Sequence, residues 1–220
     1  SFFSSALTST NHHPFEVPEE FRLNKGDSTK HRYQEAIYYT DAMLGEFLNR
    51  IRKKPWYKNT IIFITSDTSS FQPAEEKLLN FEDFVKLRSK IPLLILFGEN
   101  VIKGKEIKGN NFNPTSQVDI APTIMGILNK KIIVPWVGRS ILDDTKSSFH
   151  KIPFRAFTNR PGSYWAVIEN NYRYYRENDR IDHFFGNYEN EKNILLKDIG
   201  ESWIHSIRWI LQENLIWPND

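Results

Sequence analysis

The chain has 220 residues, 40% of them hydrophobic and 14% aromatic. That is enough to bury an ordinary core and too aromatic for a disordered polypeptide. Its 29 Lys and Arg against 27 Asp and Glu leave a net charge of +2 with no basic block, so nothing makes a nucleic-acid footprint; the absence of Cys excludes disulfides, thiolate metal centres and a Cys nucleophile within these residues.

Ser1 to Thr8 reads as a strand entered part-way through a longer protein, and Asn11-His12-His13-Pro14-Phe15 with the stretch to Gly26 as a loop leaving that strand's end. From Ser28 to Lys54 the apolar residues Tyr33, Ala36, Ile37, Leu44, Phe47, Leu48 and Ile51 recur at spacings of three and four, which predicts a helix that Pro55 stops. Thr60 to Thr65 is an unbroken β-branched run of the kind found in central parallel strands, with Asp67 just past its C-terminal end. A short helix at Phe81 to Leu87 and a second buried strand at Ile91 to Phe97 follow; that strand is the longest apolar run, far short of the roughly 20 residues that cross a bilayer.

Gly98 to Pro114 is rich in Gly, Asn and Lys and predicts an exposed loop, and Val118 to Leu128 a second amphipathic helix with Asp119 helping to start it. Tyr164 to Ile168 and Tyr172 to Tyr175, joined through Asn170-Asn171, predict a β-hairpin; Leu195 to Leu211 predicts a closing helix. Alternation of strand and helix makes this an α/β chain. In such sheets ligands gather beyond the carboxyl ends of strands, where His12-His13 and Asp67-Thr68-Ser69-Ser70 lie. An aspartate and an imidazole suit a divalent metal; equally, Asp67 caps a turn and the histidines are surface residues.

Several motifs occur together in a familiar order. Phe2-Phe3-Ser4-Ser5-Ala6-Leu7-Thr8 leads to Asn11-His12-His13-Pro14-Phe15. Tyr33-Gln34-Glu35-Ala36-Ile37-Tyr38-Tyr39-Thr40-Asp41 precedes Leu44-Gly45-Glu46-Phe47 on the helix, and Trp56-Tyr57-Lys58-Asn59 precedes Thr60-Ile61-Ile62-Phe63-Ile64-Thr65-Ser66-Asp67. Gln117-Val118-Asp119-Ile120-Ala121-Pro122-Thr123 completes the set. Through them Ser1 to Leu142 resembles the C-terminal half of the catalytic domain of sulfatase-like enzymes in the alkaline phosphatase superfamily, above all the lipoteichoic acid synthase type. The resemblance implies a central, mostly parallel sheet flanked by helices, with a C-terminal hairpin and closing helix. It implies that residues 1–150 are the C-terminal part of the catalytic domain and 151–220 a subregion packed on it.

By the same resemblance, His12 faces the sulfate or phosphate of the substrate and Asp67 is a carboxylate ligand of a divalent metal, manganese, zinc or calcium. The family's strand-ending aspartate is followed by a histidine that is a second ligand, often as Asp-His-Gly or Asp-His-Thr, whereas Thr68 follows Asp67 here. A hydroxyl replaces imidazole poorly at a transition metal, so a weak or absent metal site is expected in these residues alone.

The family's nucleophile and a further acidic ligand lie in an upstream half of the domain, and no residue here matches the nucleophile. Hence the 220 residues alone are expected not to turn over substrate, to need that half, or to self-associate through uncovered faces. The resemblance implies an ester substrate on a glycan or a lipid headgroup and a parent anchored in the membrane outside the cytoplasm. A non-catalytic binding or scaffolding module with a degenerate metal site is the reading from another class.

Other candidates have plainer explanations. His31, His150, His183 and His205 lack ligand spacing, and Asp41 is expected in an ion pair or hydrogen bond on its helix. Tyr164, Trp165, Tyr172, Tyr174 and Tyr175 fit a packed hairpin better than a headgroup platform. The closing helix, with Trp203, Ile207, Trp209, Ile210 and Leu211, carries too many acids for a membrane surface and is expected to dock on the domain.

Overall fold

Residues 1–23, 26–67, 69, 83, 90–102, 109–110, 115–130, 136–142, 152–157, 163–169, 172–177, 181–186 and 190–215 are described by a computed structural model. They fall into two units, Ser1–Lys108 and Gly109–Asp220.

In the first unit, helix α1 (Thr29–Ile51) starts at Ser28, whose side chain accepts from the backbone N–H of His31 at 3.3 Å. This N-cap satisfies one of the donors that the first helical turn leaves unpaired. Pro55 opens a short 3-10 turn, Pro55–Asn59, that leads into strand β1 (Ile61–Thr65). Strand β2 (Leu93–Phe97) pairs with it antiparallel, Ile61 opposite Phe97 and Thr65 opposite Leu93. Both strands lie where the apolar runs predict them, but their mutual direction is not the parallel one expected of such runs. An unbroken apolar run encodes that two faces are to be covered; it carries nothing about direction, which depends on how the two segments meet.

Ser1 to Thr8 forms no strand: Phe2, Phe3 and Leu7 are 67%, 86% and 88% exposed. A strand is held by a partner's ladder, and none is formed with this segment among the described residues. The Phe2 ring meets the edge of Trp56 at 5.4 Å. The helix expected at Phe81 to Leu87 falls outside the described residues except for Asp83.

The second unit begins with a 3-10 turn, Gln117–Asp119, that feeds helix α2 (Ile120–Ile127). Four antiparallel strands follow in chain order, β3 (Ile152–Phe157), β4 (Ser163–Glu169), β5 (Tyr172–Glu177) and β6 (Ile181–Phe185). The predicted hairpin is β4–β5, with Glu169 opposite Tyr172; the sheet extends it by a strand on each side. Pro153, lacking an N–H, sits on the edge strand β3, the place in a sheet where it is tolerated.

Helix α3 (Asn190–Gln212) lays Leu196 and Ile204, with Ile199 and Trp203, against Tyr174 and Phe184. The spacing is that of one helix face. Tyr174 and Leu196 are fully buried, whereas Trp209 and Leu211 point outward. No helix among the described residues is long and apolar enough to cross a membrane.

Candidate functional site

His12 sits in a loop closed by two backbone hydrogen bonds, His12 N to Ser9 O at 2.9 Å and Phe15 N to His12 O at 3.0 Å. Its ring Nδ1 lies 2.9 Å from the carbonyl oxygen of His13. A carbonyl can only accept, so Nδ1 carries the proton. That leaves Nε2 as the ring atom available to a ligand on an exposed imidazole.

Two contacts fasten this loop to α1. The Thr40 hydroxyl donates to Asn11 Oδ1 at 3.0 Å, and the Phe15 ring packs edge-on against Tyr33, centroids 5.3 Å apart. Phe15 has φ 63°, the left-handed region that costs a side-chain-bearing residue energy. Further along, the backbone N–H of Leu23 donates to the buried Glu35 carboxylate at 2.6 Å, returning the chain to the same helix. The sequence alone names none of these partnerships. The available signal was the seven-residue spacing of Tyr33 and Thr40, which puts both on one side of α1; nothing in a sequence pairs them with Phe15 and Asn11.

Asp67 is exposed two residues beyond the end of β1, in the strand-end position expected for it. Thr68 lies outside the described residues. Among the described residues no three His, Cys, Asp or Glu side chains are gathered to hold a metal ion. One carboxylate supplies too few donors for a divalent cation, so the described residues do not by themselves fit a metal centre. His12 and Asp67 belong to the same unit, in separate segments.

The remaining candidates resolve as follows. Asp119, 4% exposed, accepts from the backbone N–H of Ser116 on Oδ2 and of Arg139 on Oδ1, both at 2.9 Å; it closes the capping box of the 3-10 turn that leads into α2 and ties that turn to the following segment. Asp41 is exposed on α1 and, among the described residues, forms no ion pair. The reason is its neighbours three and four positions away, Ile37, Tyr38, Leu44 and Gly45, none of them basic. Of the aromatic cluster, Tyr174 belongs to the core beneath α3; the side chains of Tyr164, Trp165, Tyr172 and Tyr175 are outside the described ones, as is His150.

A sulfatase family model matches residues 1–130. The lipoteichoic acid synthase of Staphylococcus saprophyticus is 33% identical over 165 residues, covering 70% of this chain and 24% of that protein. The crystal structure of the lipoteichoic acid synthase LtaP from Listeria monocytogenes superposes with a TM-score of 0.61 at 17% identity, over 96% of this chain and 53% of that one. A structure solved in complex with its substrate D-glucosamine-2-N,6-O-disulfate gives 0.56 at 16% identity, over 82% of this chain and 41% of the other. The fold is therefore the α/β fold of sulfatase-like proteins, of which the described sheets and helices are a part. The chain belongs to the sulfatase family, and it spans about a quarter of the length of the curated lipoteichoic acid synthase it matches.

Proposed function

We propose that the chain is part of a metal-dependent hydrolase or transferase acting on sulfate or phosphate esters. In this reading residues 1–150 are the C-terminal part of the catalytic domain, 151–220 a subregion of the same domain, and the nucleophile belongs to an upstream part. The observation that carries it is the His12 imidazole, committed through Nδ1 to the His13 carbonyl and open at Nε2. Protonated at Nε2, such a ring donates a charge-assisted hydrogen bond to an anionic oxygen, the interaction that steadies charge on a transferring phosphoryl or sulfuryl group.

Asp67 is proposed as one carboxylate of a divalent metal centre, manganese, zinc or calcium, completed by donors outside the described residues. When bound, the metal supplies charge neutralisation at the ester oxygens. The substrate is proposed to be an ester on a glycan or a lipid headgroup, and the whole protein to act outside the cytoplasm, anchored in the membrane by an N-terminal region. Likeness to lipoteichoic acid synthases and to a protein solved with a sulfated sugar supports these choices.

The test uses the complete protein. Hydrolysis of p-nitrophenyl phosphate and sulfate is measured alongside calorimetric manganese and zinc titrations. Metal binding in the wild type no tighter than in Asp67→Ala removes the metal ligand; an unchanged kcat/KM in His12→Ala removes His12 from the site. A second reading, a non-catalytic binding module, is favoured by Thr68 standing where the resemblance implies a histidine; metal-independent binding of an anionic glycan with no turnover supports it.

A further inference from the structure

Resting on the reading of His12 as the substrate-facing imidazole, we propose that Asn11 with Thr40 and Phe15 with Tyr33 form a two-point clamp on α1 that positions that imidazole. The two loop anchors bracket His12, one residue before it and three after. Their helix partners are seven residues apart, about 10 Å along the axis and on one side of it. Around His12, the backbone bonds from His12 to Ser9 and from Phe15 to His12 leave the loop little freedom.

The first anchor is a side-chain hydrogen bond of 3.0 Å across 29 residues of sequence, from a half-buried threonine to an exposed loop. The second is an edge-on ring contact at 69°, repeated when the His13 ring meets the same Phe15 at 5.6 Å. Phe15 is held at its left-handed φ of 63° by a site that contacts it on two sides; such strain persists where surroundings enforce it. The His12 ring is then fixed twice, by the clamped backbone and by Nδ1 on the His13 carbonyl. With both in place, Nε2 keeps one direction, and a donor held in position loses less on meeting a transition state than one that must be ordered. Thr40 and Asn11 are thus positioning residues.

The experiment compares Thr40→Val, Thr40→Ser, Asn11→Ala and the Thr40→Val/Asn11→Ala double variant in the complete protein, with p-nitrophenyl phosphate or sulfate as substrate. Thr40→Val keeps the shape of the side chain, and Asn11→Ala lies on an exposed loop, so thermal midpoints are expected to stay close to wild type. The expected result is a fall of about 3- to 10-fold in kcat for each single variant, the size of one hydrogen bond. KM should change less, the double variant should be no slower than either single one, and Thr40→Ser should recover most of the rate. Additive losses, or a Thr40→Val protein as fast as wild type while His12→Ala is inactive, overturn the clamp. Full activity in His12→Ala itself overturns the underlying assignment of His12 instead, and is distinguished by that variant alone.

Discussion

The Tyr174 hydroxyl donates to Asp182 Oδ1 at 2.8 Å, tying the centre of β5 to β6 beneath α3. Lys197 of α3 donates to the other carboxylate oxygen at 2.7 Å, and Arg176, directly opposite Asp182 in the sheet register, forms an ion pair with Glu201 of α3. A single carboxylate therefore joins two strands and a helix.

Partial burial disfavours the Asp182 charge, but the hydrogen bonds from Lys197 and Tyr174 and the nearby Arg176 outweigh it and hold the carboxyl below its usual range. Burial, followed by the bond to Asp182, pushes the Tyr174 hydroxyl well above its own. A carboxyl whose folded pKa is depressed contributes stability that is complete above its unfolded value, about 3.9, and that is lost as pH falls through the folded value. The melting temperature of the β3–β6 and α3 region is expected to drop on acidification below about pH 4. Circular dichroism melts across that range should show a smaller pH-dependent step in Asp182→Asn; an identical step in both proteins would locate the acid sensitivity elsewhere.

Tyr174 combines that bond with complete burial against Leu196 and Ile204, so truncations separate the two contributions. Tyr174→Phe is expected to cost about 1.5 to 3 kcal/mol, the loss of one hydrogen bond to a charged acceptor. Leu196→Ala removes a fully buried side chain and should cost about 2 to 5 kcal/mol. Denaturant titrations followed by tryptophan fluorescence, with Trp203 in the same cluster, measure both. Trp209→Ser, on the outward face of α3, should fall within about 0.5 kcal/mol of wild type.

Asp119 accepts two backbone N–H groups at 4% exposure. Asp119→Ala strands both donors and is expected to cost about 2 to 4 kcal/mol, whereas Asp119→Asn keeps one acceptor oxygen and should cost roughly half as much. Equal losses in the two variants, read from urea midpoints, would mean that the amide oxygen left in Asp119→Asn contributes nothing and that the charge of the carboxylate carries the effect.

The same residue shows what a sequence holds. Asp119 ahead of Ile120-Ala121-Pro122 announces a helix start by local chemistry, and the three-and-four spacing of α1 and the β-branched run of β1 are likewise local signals. Direction and register are not local. The antiparallel sense of β1 and β2 and the Arg176–Asp182 pairing depend on which segments meet. So does the anchoring of Asn11 on Thr40, 29 residues away. Ser1 to Thr8 reads as a strand from its residues alone, yet a strand exists only with a neighbour. Motif order makes His12 and Asp67 candidates and no more than that, and it says nothing of the contacts that hold the His12 loop.

Glycines at two positions separate close approach from simple flexibility. Gly98 is buried at the end of β2, its N–H donating to Thr60 O at 2.8 Å, and a Cβ there would stand 2.2 Å from Tyr57 O and 2.5 Å from the Lys58 carbonyl carbon. Those are backbone atoms, which cannot swing aside as a flexible side chain would. Gly98→Ala is expected to push the end of β2 away from the turn before β1 and to cost about 2 kcal/mol or more, as overfilled sites do. Gly45, on the exposed side of α1, has nothing within 4 Å of the same added atom. There alanine relieves the helix of glycine's backbone freedom and should stabilise by up to about 1 kcal/mol. Opposite shifts of the urea midpoint in the two variants are the expected result; a Gly98→Ala protein as stable as wild type would mean that β2 does not meet residues 57 and 58 this closely.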